Sequence, residues 1–203
     1  MLVKGLGLRH VVITSVTRDD LEDGGAGHFV KVVEEIKQNT PDIMIEVLIP
    51  DFKGKLESLK KIALSAIDIL NHNIETVPRL YPVVRPQADY GRSLEVLRSI
   101  KLLNTDLKTK SGLMVGLGEK LEEVIQVMED LRSVGCDAIT IGQYLQPTRA
   151  NIPVHRYIEP SEFEELQKIA LGFGFKYAFC GPLVRSSYMA EEQHCSNIPI
   201  QLL

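Results

Sequence analysis

The feature that most constrains this chain is a repeated alternation. Short runs of β-branched residues are each followed by a helical pattern and then by another apolar run. The first strand is expected at His10-Val11-Val12-Ile13-Thr14-Ser15-Val16. Phe29, Val32, Val33 and Ile36 then share one helix face at i, i+3, i+4 and i+7 spacing, and Pro41 closes the unit. The next strand is Ile43 to Ile49, stopped by Pro50, and Leu56, Leu59, Ile62 and Ala63 mark a helix after it. Ile67 to Leu70 reads as a third strand. A helix from about Ser93 to Leu103 follows, with Leu94, Leu97 and Ile100 as its stripe. A fourth strand covers Lys110 to Val115. Leu121, Val124, Ile125, Met128, Leu131 and Val134 make the clearest amphipathic helix. Ala138 to Tyr144 is a fifth strand, Pro160-Ser161-Glu162 caps a helix through Leu171, and Tyr177 to Cys180 is a last short strand.

Strands that alternate with amphipathic helices form parallel βαβ units, because parallel neighbours need a crossover. The expected fold class is therefore α/β with a parallel sheet, one domain over residues 1–192 and a tail over 193–203. Nearly continuous apolar strands fit a sheet covered by helices on one face and closed around a barrel interior on the other. In such folds the chemistry sits where strands end and loops begin. A length of 203 residues and 44% hydrophobic residues suit one sizeable core. A net charge of −4 gives no general support to a nucleic-acid or anionic-membrane partner. No apolar run reaches the ~20 residues that span a bilayer, and no signal peptide is expected. The three cysteines, Cys136, Cys180 and Cys195, are odd in number and lack CxxC or CxxxCxxC spacing. They suggest a reducing compartment, two core thiols and one thiol in the tail.

The polar residues gather at the C-terminal ends of the strands. Thr14 to Ala26 follows the first strand, with Arg18, Asp19, Asp20 and a Gly24-Gly25 pair. Asn71-His72-Asn73-Ile74-Glu75 follows the third, and Lys110-Ser111-Gly112 to Gly116-Leu117-Gly118-Glu119 covers the fourth. Gly142-Gln143-Tyr144 ends the fifth, and Arg185-Ser186-Ser187-Tyr188 stands near the end. Each has a plain reading. Arg18 to Asp20 reads equally as a solvated turn, Gly24-Gly25 as a helix start, and Asn71, Asn73 and Glu75 as turn and cap residues. His72 reads as an ordinary loop histidine, and Ser186 and Ser187 as a short-helix cap. Gly116 and Gly118 lack the third glycine of a dinucleotide-binding loop and read as a tight turn. The functional reading gains from convergence on one barrel mouth.

Taken together, HVVITSVTRDDLEDGGA, ILNHNIETVPRLYPVVRPQADYGRSLEVL, KSGLMVGLGE, TIGQYLQPT and GPLVRSSY resemble lipoyl synthases in order and spacing, over roughly residues 3 to 192. The resemblance implies a partial parallel (β/α) barrel of the radical S-adenosylmethionine (SAM) type, here without its first βα unit. It implies sulfur insertion at C6 and C8 of an octanoyl chain on a lysine of a lipoyl carrier domain, the final step of lipoate biosynthesis. The carriers are the E2 components of 2-oxoacid dehydrogenases and the glycine cleavage H protein, and a ferredoxin or flavodoxin supplies electrons. It also implies two [4Fe–4S] clusters: one cleaves SAM, and an auxiliary one gives up the sulfur. A cytoplasmic location is implied, or a mitochondrial one in a eukaryote. No side chain is itself expected to be the catalyst, since an unactivated C–H bond needs cofactor chemistry.

By the same resemblance Ser186 is the serine ligand of the auxiliary cluster, with Arg185 and Tyr188 shaping its site. A hard oxygen is a weaker ligand than thiolate for cluster iron, which suits a cluster that must give up sulfur. Thr14, Ser15, Asn71, Asn73 and Glu75 fall where SAM is contacted, and Arg18, Lys110 and Gln143 are further cleft candidates. The chain departs from the family in that neither cysteine motif occurs in it, and the tail after Glu192 departs from the family's pattern as well. The cysteine ligands of both clusters are absent, so this chain is expected to be inactive as it stands. Two other readings remain. One is a cluster-free remnant that binds SAM or the octanoylated carrier without catalysis. The other, a barrel aldolase or phosphate-binding enzyme, would want a Schiff-base lysine or a phosphate-binding glycine loop, and Gly142-Gln143-Tyr144 offers neither.

Overall fold

A computed structural model describes residues 2–187. Tyr188, Cys195 and the expected tail lie outside the described residues. Six strands form one parallel sheet in sequential order. They are β1 (His10–Thr14), β2 (Met44–Leu48), β3 (Ile69–Asn71), β4 (Lys108–Val115), β5 (Ala138–Gln143) and β6 (Tyr177–Gly181). The intervening helices are α1 (Ala26–Asn39), α2 (Leu56–Ala63), α3 (Tyr90–Leu103), α4 (Leu121–Ser133) and α5 (Pro160–Gly172). Short turns of helix occur at Leu2–Gly5, Phe52–Gly54, Pro78–Leu80 and Tyr81–Val84. The architecture is an open, partial (β/α) barrel.

The strands carry two alternating sets of side chains. One set, with Ile45, Val47, Leu70, Leu113, Val115, Ile139, Ile141 and Ala178, packs against the helix stripes. Facing them are Phe29, Val33 and Ile36 of α1, Leu59 and Ile62 of α2, Leu97 and Ile100 of α3, Met128 and Leu131 of α4, and Phe163 and Leu166 of α5. Burial of this set outside the sheet supplies most of the fold's stability. Register places the other set on the inner face: His10 beside Met44, Glu46 beside Ile69, Asn71 beside Lys110, Gly112 beside Thr140, and Gly142 beside Gly181. That face is not the apolar barrel filling that continuous strands suggest, for it holds charge and glycine.

Element ends explain themselves locally. The helix expected from Ser93 starts at Tyr90, because Asp89 caps it by accepting from Arg92 N. At α5 the cap is Glu159 rather than the Pro160-Ser161-Glu162 run, with Pro160 at the first helical position and Glu159 N donating to Glu162 Oε2 at 3.2 Å. The Gly24-Gly25 pair does start α1: both glycines have positive φ, and Asp23 accepts from Gly25 N and Gly27 N. No helix among the described residues is long and apolar enough to cross a membrane.

Candidate functional site

Parallel strands put all their C-terminal ends on one side, so the polar segments after them share one mouth. The third strand is the informative one. It pairs with β4 through Asn71, bulges through His72 to Ile74, and rejoins at Glu75 beside Leu113. Glu75 N donates to Gly112 O at 2.9 Å, and Met114 N donates to Glu75 O at 2.9 Å. Glu75 has φ 65, a left-handed conformation that costs a residue with a Cβ on the order of 1–3 kcal/mol and clusters at functional sites. Arg85 holds the bulge: its Nη1 donates to Asn73 O at 3.1 Å and Ile74 O at 3.2 Å, and Tyr81 Oη also donates to Ile74 O.

This bulge brings Asn71, Asn73 and Glu75 onto one wall. Asn73 Nδ2 donates to Glu75 Oε1 at 3.1 Å. Burial pushes the Glu75 carboxyl above its usual range, against Asn73 and Arg85, which pull it down. The Oδ1 atoms of Asn71 and Asn73 are buried and accept no hydrogen bond among the described residues. Asn73 Oδ1 lies 3.0 Å from where a Cβ on Gly112 would stand, so glycine there keeps the wall open. Buried acceptors without donors cost free energy unless something fills the space. A ligand with hydroxyl and ammonium groups, as SAM has, fits that donor demand.

Below this wall lies a charged pair that the expectations only half contained. Lys110 Nζ is 3.1 and 3.2 Å from the two carboxylate oxygens of Glu46, with the side chains 1% and 0% exposed. Asn71 Nδ2 donates to the same Glu46 Oε1 at 2.9 Å, and His10 Nε2 stands 3.8 Å from Oε2. Burial lowers the Lys110 ammonium pKa, and Glu46 opposes this. Glu46 was not singled out from the sequence. Its signal was present nonetheless: it is the one charged residue in an otherwise apolar strand, Ile43 to Ile49. Such a residue in a parallel strand faces a lined interior rather than the helices. Lys110 Nζ also donates to the backbone oxygen of Ser186 at 2.5 Å. The chain after β6 therefore folds back into the barrel and reaches its centre.

The other expected residues do not join this group. Thr14 and Ser15 stand exposed at the end of β1, with Thr14 Oγ1 donating to Leu48 O at 3.0 Å. Arg18 makes an exposed two-bond pair with Asp20, the solvated-turn geometry. Gln143 lies on the helix side of β5. Its Oε1 accepts from Ile158 N at 2.9 Å and its Nε2 donates to Arg156 O at 3.1 Å, so it staples the long loop between β5 and α5. His72 is buried, with Nδ1 2.9 Å from Ile49 O, and burial lowers its pKa toward the neutral form. Arg185 is exposed and Ser186 half-buried. The two thiols among the described residues lie elsewhere. Cys136 is buried at the foot of β5, where desolvation pushes its pKa up to about 12, and Cys180 lies on the helix side of β6, also pushed up by burial. Among the described residues no group of three or more His, Cys, Asp or Glu is placed to hold a metal. The residues present thus fit SAM but do not by themselves fit an iron–sulfur cluster.

Known proteins resemble this chain in sequence and in fold. The radical SAM superfamily model matches residues 1–131. Lipoyl synthase of Caldicellulosiruptor saccharolyticus is 57% identical over 190 residues, covering 94% of this chain and 67% of that protein. The chain belongs to the lipoyl synthase family. Lipoyl synthases of Alkaliphilus metalliredigens (56% identical, 94% of this chain, 66% of that protein) and Aeromonas hydrophila (52%, 95% and 60%) agree. The chain thus spans between 60% and 67% of the length of these relatives. Two solved structures share the fold at low identity. Methylornithine synthase superposes with TM-score 0.63 at 16% identity, over 86% of this chain and 50% of that one. HydG, a maturase of the [FeFe]-hydrogenase, gives 0.66 at 17%, over 87% and 41%.

Proposed function

We propose that this chain is the SAM-binding barrel of a lipoyl synthase, and that it serves sulfur insertion at C6 and C8 of an octanoyl-lysine on a lipoyl carrier domain. The observation that carries the reading is the wall of Asn71, Asn73 and Glu75, with its two donor-starved amide oxygens, facing the point where Ser186 returns into the barrel. In the bound state SAM and a reduced cluster supply hydrogen abstraction, and an auxiliary cluster supplies sulfur. The chain's own residues bind and orient. The Asn71 and Asn73 oxygens accept from ligand hydroxyl or ammonium groups, and Glu75 adds a carboxylate whose partner must offset its burial. Gly112 leaves room for close approach, and the inner face keeps water from the reacting chain. Ser186 is the oxygen ligand to the auxiliary cluster.

The thiolates for both clusters come from outside these 203 residues, since no CxxxCxxC motif occurs in them. Octanoylated carrier domains and a flavodoxin or ferredoxin are the partners of the complete enzyme. Thr14 and Ser15 at the rim contribute to SAM binding only at its edge, and Arg18 and Gln143 have structural duties instead. A test uses SAM binding by calorimetry on this chain. Asn73→Ala and Glu75→Gln should each weaken binding about tenfold or more while leaving the fold intact. Unchanged binding in both variants would refute the assigned wall. The 203-residue chain reconstituted with iron and sulfide should show no cluster absorbance and no SAM cleavage; about one cluster per chain would refute the assignment of the thiolates.

A further inference from the structure

After β6 the chain turns at Gly181-Pro182-Leu183-Val184, closed by Val184 N donating to Gly181 O at 3.1 Å. It then runs back along the inner face of β5 and β6. Two glycines paired in register, Gly142 and Gly181, form the surface it crosses. A Cβ on Gly142 would stand 3.2 Å from the Val184 carbonyl carbon, nearer still to its oxygen, and 3.0 Å from Arg185 Nη1. A Cβ on Gly181 would stand 3.2 Å from Val184 Cγ2. Neither glycine has a positive φ, so no backbone conformation requires glycine here. What requires it is the closeness of the returning chain. One layer deeper, Lys110 Nζ, already paired with buried Glu46, donates to Ser186 O at 2.5 Å. The buried ammonium thus donates to a backbone oxygen as well as to a carboxylate, which fixes its direction.

We propose that Gly142, Gly181 and Lys110 form a seat that docks the segment 182–187 inside the barrel, and that Lys110 is a positioning residue for Ser186. Gly142 and Gly181 make the groove by lacking side chains, and Lys110 fixes the depth to which the chain enters. Glu46 holds the ammonium in place and also accepts from Asn71, so one carboxylate ties the SAM-side wall to the returning segment. The seat stands on geometry alone; its consequence for cluster ligation rests on the role proposed for Ser186.

The test is native-state digestion of the full 203-residue chain with trypsin, followed by mass spectrometry. Cleavage after Arg185 reports departure of the segment from its seat, and cleavage after Arg132, within α4, reports general opening. Gly142→Ala should push the segment out by contact while leaving the Glu46–Lys110 pair intact. Glu46→Gln with Lys110→Met should release it by removing the donor, with no charge left buried alone. Each should raise cleavage after Arg185 about tenfold relative to cleavage after Arg132. If either variant shows no such selective rise, the seat is overturned. The outcome is separable from the fate of Ser186. Loss of selective cleavage leaves the ligand role to be judged by product analysis, and a Ser186→Ala variant with full lipoyl yield would remove the ligand role while leaving the seat.

Discussion

Glu46 and Lys110 make the sharpest energetic prediction. Both side chains are almost wholly buried, and the ammonium sits 3.1 Å from one carboxylate oxygen and 3.2 Å from the other. Removing one partner of such a pair costs about 3–5 kcal/mol, because an ion is left buried without its counter-charge. Lys110→Met keeps most of the length of the side chain and leaves Glu46 with Asn71 Nδ2 and His10. Its cost should therefore lie near the lower end, about 3 kcal/mol. Glu46→Gln keeps the shape and leaves Lys110 with Ser186 O and an amide oxygen; about 3 kcal/mol is expected again. The double variant removes both charges and should cost no more than about 2 kcal/mol, as replacing a whole buried pair is often near neutral. The coupling is then about 4 kcal/mol or more, far above the ~0.5 kcal/mol scatter of independent sites. Urea unfolding of the four proteins at pH 7, followed by circular dichroism, measures it. For a chain of this length each single variant should also lower Tm by about 6–12 °C. Single-variant costs that simply add in the double variant would refute the pair as a coupled unit.

Asp23 caps α1 through Gly25 N and Gly27 N and is 3.1 Å from Lys61 Nζ, which together hold its carboxyl at about 2 against 3.8 for an ordinary aspartate. That difference is worth at most about 2.5 kcal/mol, reduced to about 1 kcal/mol by solvent screening. Because the folded pKa is depressed, the contribution is present above pH 4 and fades as pH falls toward about 2. Asp23→Asn should cost about 1 kcal/mol at neutral pH and progressively less below pH 4 in urea titrations. Gly116 has φ 98 and an added Cβ would stand 2.6 Å from Arg156 O, so Gly116→Ala should destabilise by about 2 kcal/mol or more by the same assay. In a chain joined to the cluster-binding cysteines, Ser186→Ala should keep conversion of SAM to 5′-deoxyadenosine but lose most lipoyl product, while Ser187→Ala should be milder; equal lipoyl yields from Ser186→Ala and the parent would refute the ligand role.

Much of the fold was legible because the helix-facing half of each strand obeys simple hydrophobic logic. Ile45, Val47, Leu113, Val115, Ile139 and Ile141 alternate as a covered sheet requires, and every expected strand exists. Two of the misplaced ends share a physical cause. The third strand was expected to stop at Leu70, the last apolar residue, yet it continues through Asn71. The fourth was expected from Lys110 and begins at Lys108. In both cases polar side chains on the inner face belong to the strand, because that face lines a site rather than a core. The same rule hid Glu46. A charge amid apolar neighbours reads as a blemish in a strand until register places it beside Ile69 and within reach of Lys110. The Asn71, Asn73 and Glu75 group was legible as a set. The bulge that aligns it was not, because it depends on Arg85 reaching Asn73 O and Ile74 O from a helical turn the hydrophobic pattern does not show.

Gly142 shows why the two halves of each strand answer to different demands. On the helix side of β5, Ile139 and Ile141 are wholly buried and gain stability in proportion to the apolar surface they cover. On the inner side the same strand presents Ala138 and Thr140, and then Gly142, which leaves the space at the mouth open. A strand selected for stability alone would not place glycine there, since it adds no packing and weakens the strand. The space it leaves is used by Val184 and Arg185, and beyond them Ser186 reaches Lys110. The inner face therefore gives up packing to admit another part of the chain, and it does so next to the wall whose amide oxygens lack donors. Substitutions on the two faces should separate accordingly. Ile141→Ala should act on unfolding free energy, by about 2–5 kcal/mol. Gly142→Ala, one residue away, should act on where Ser186 stands.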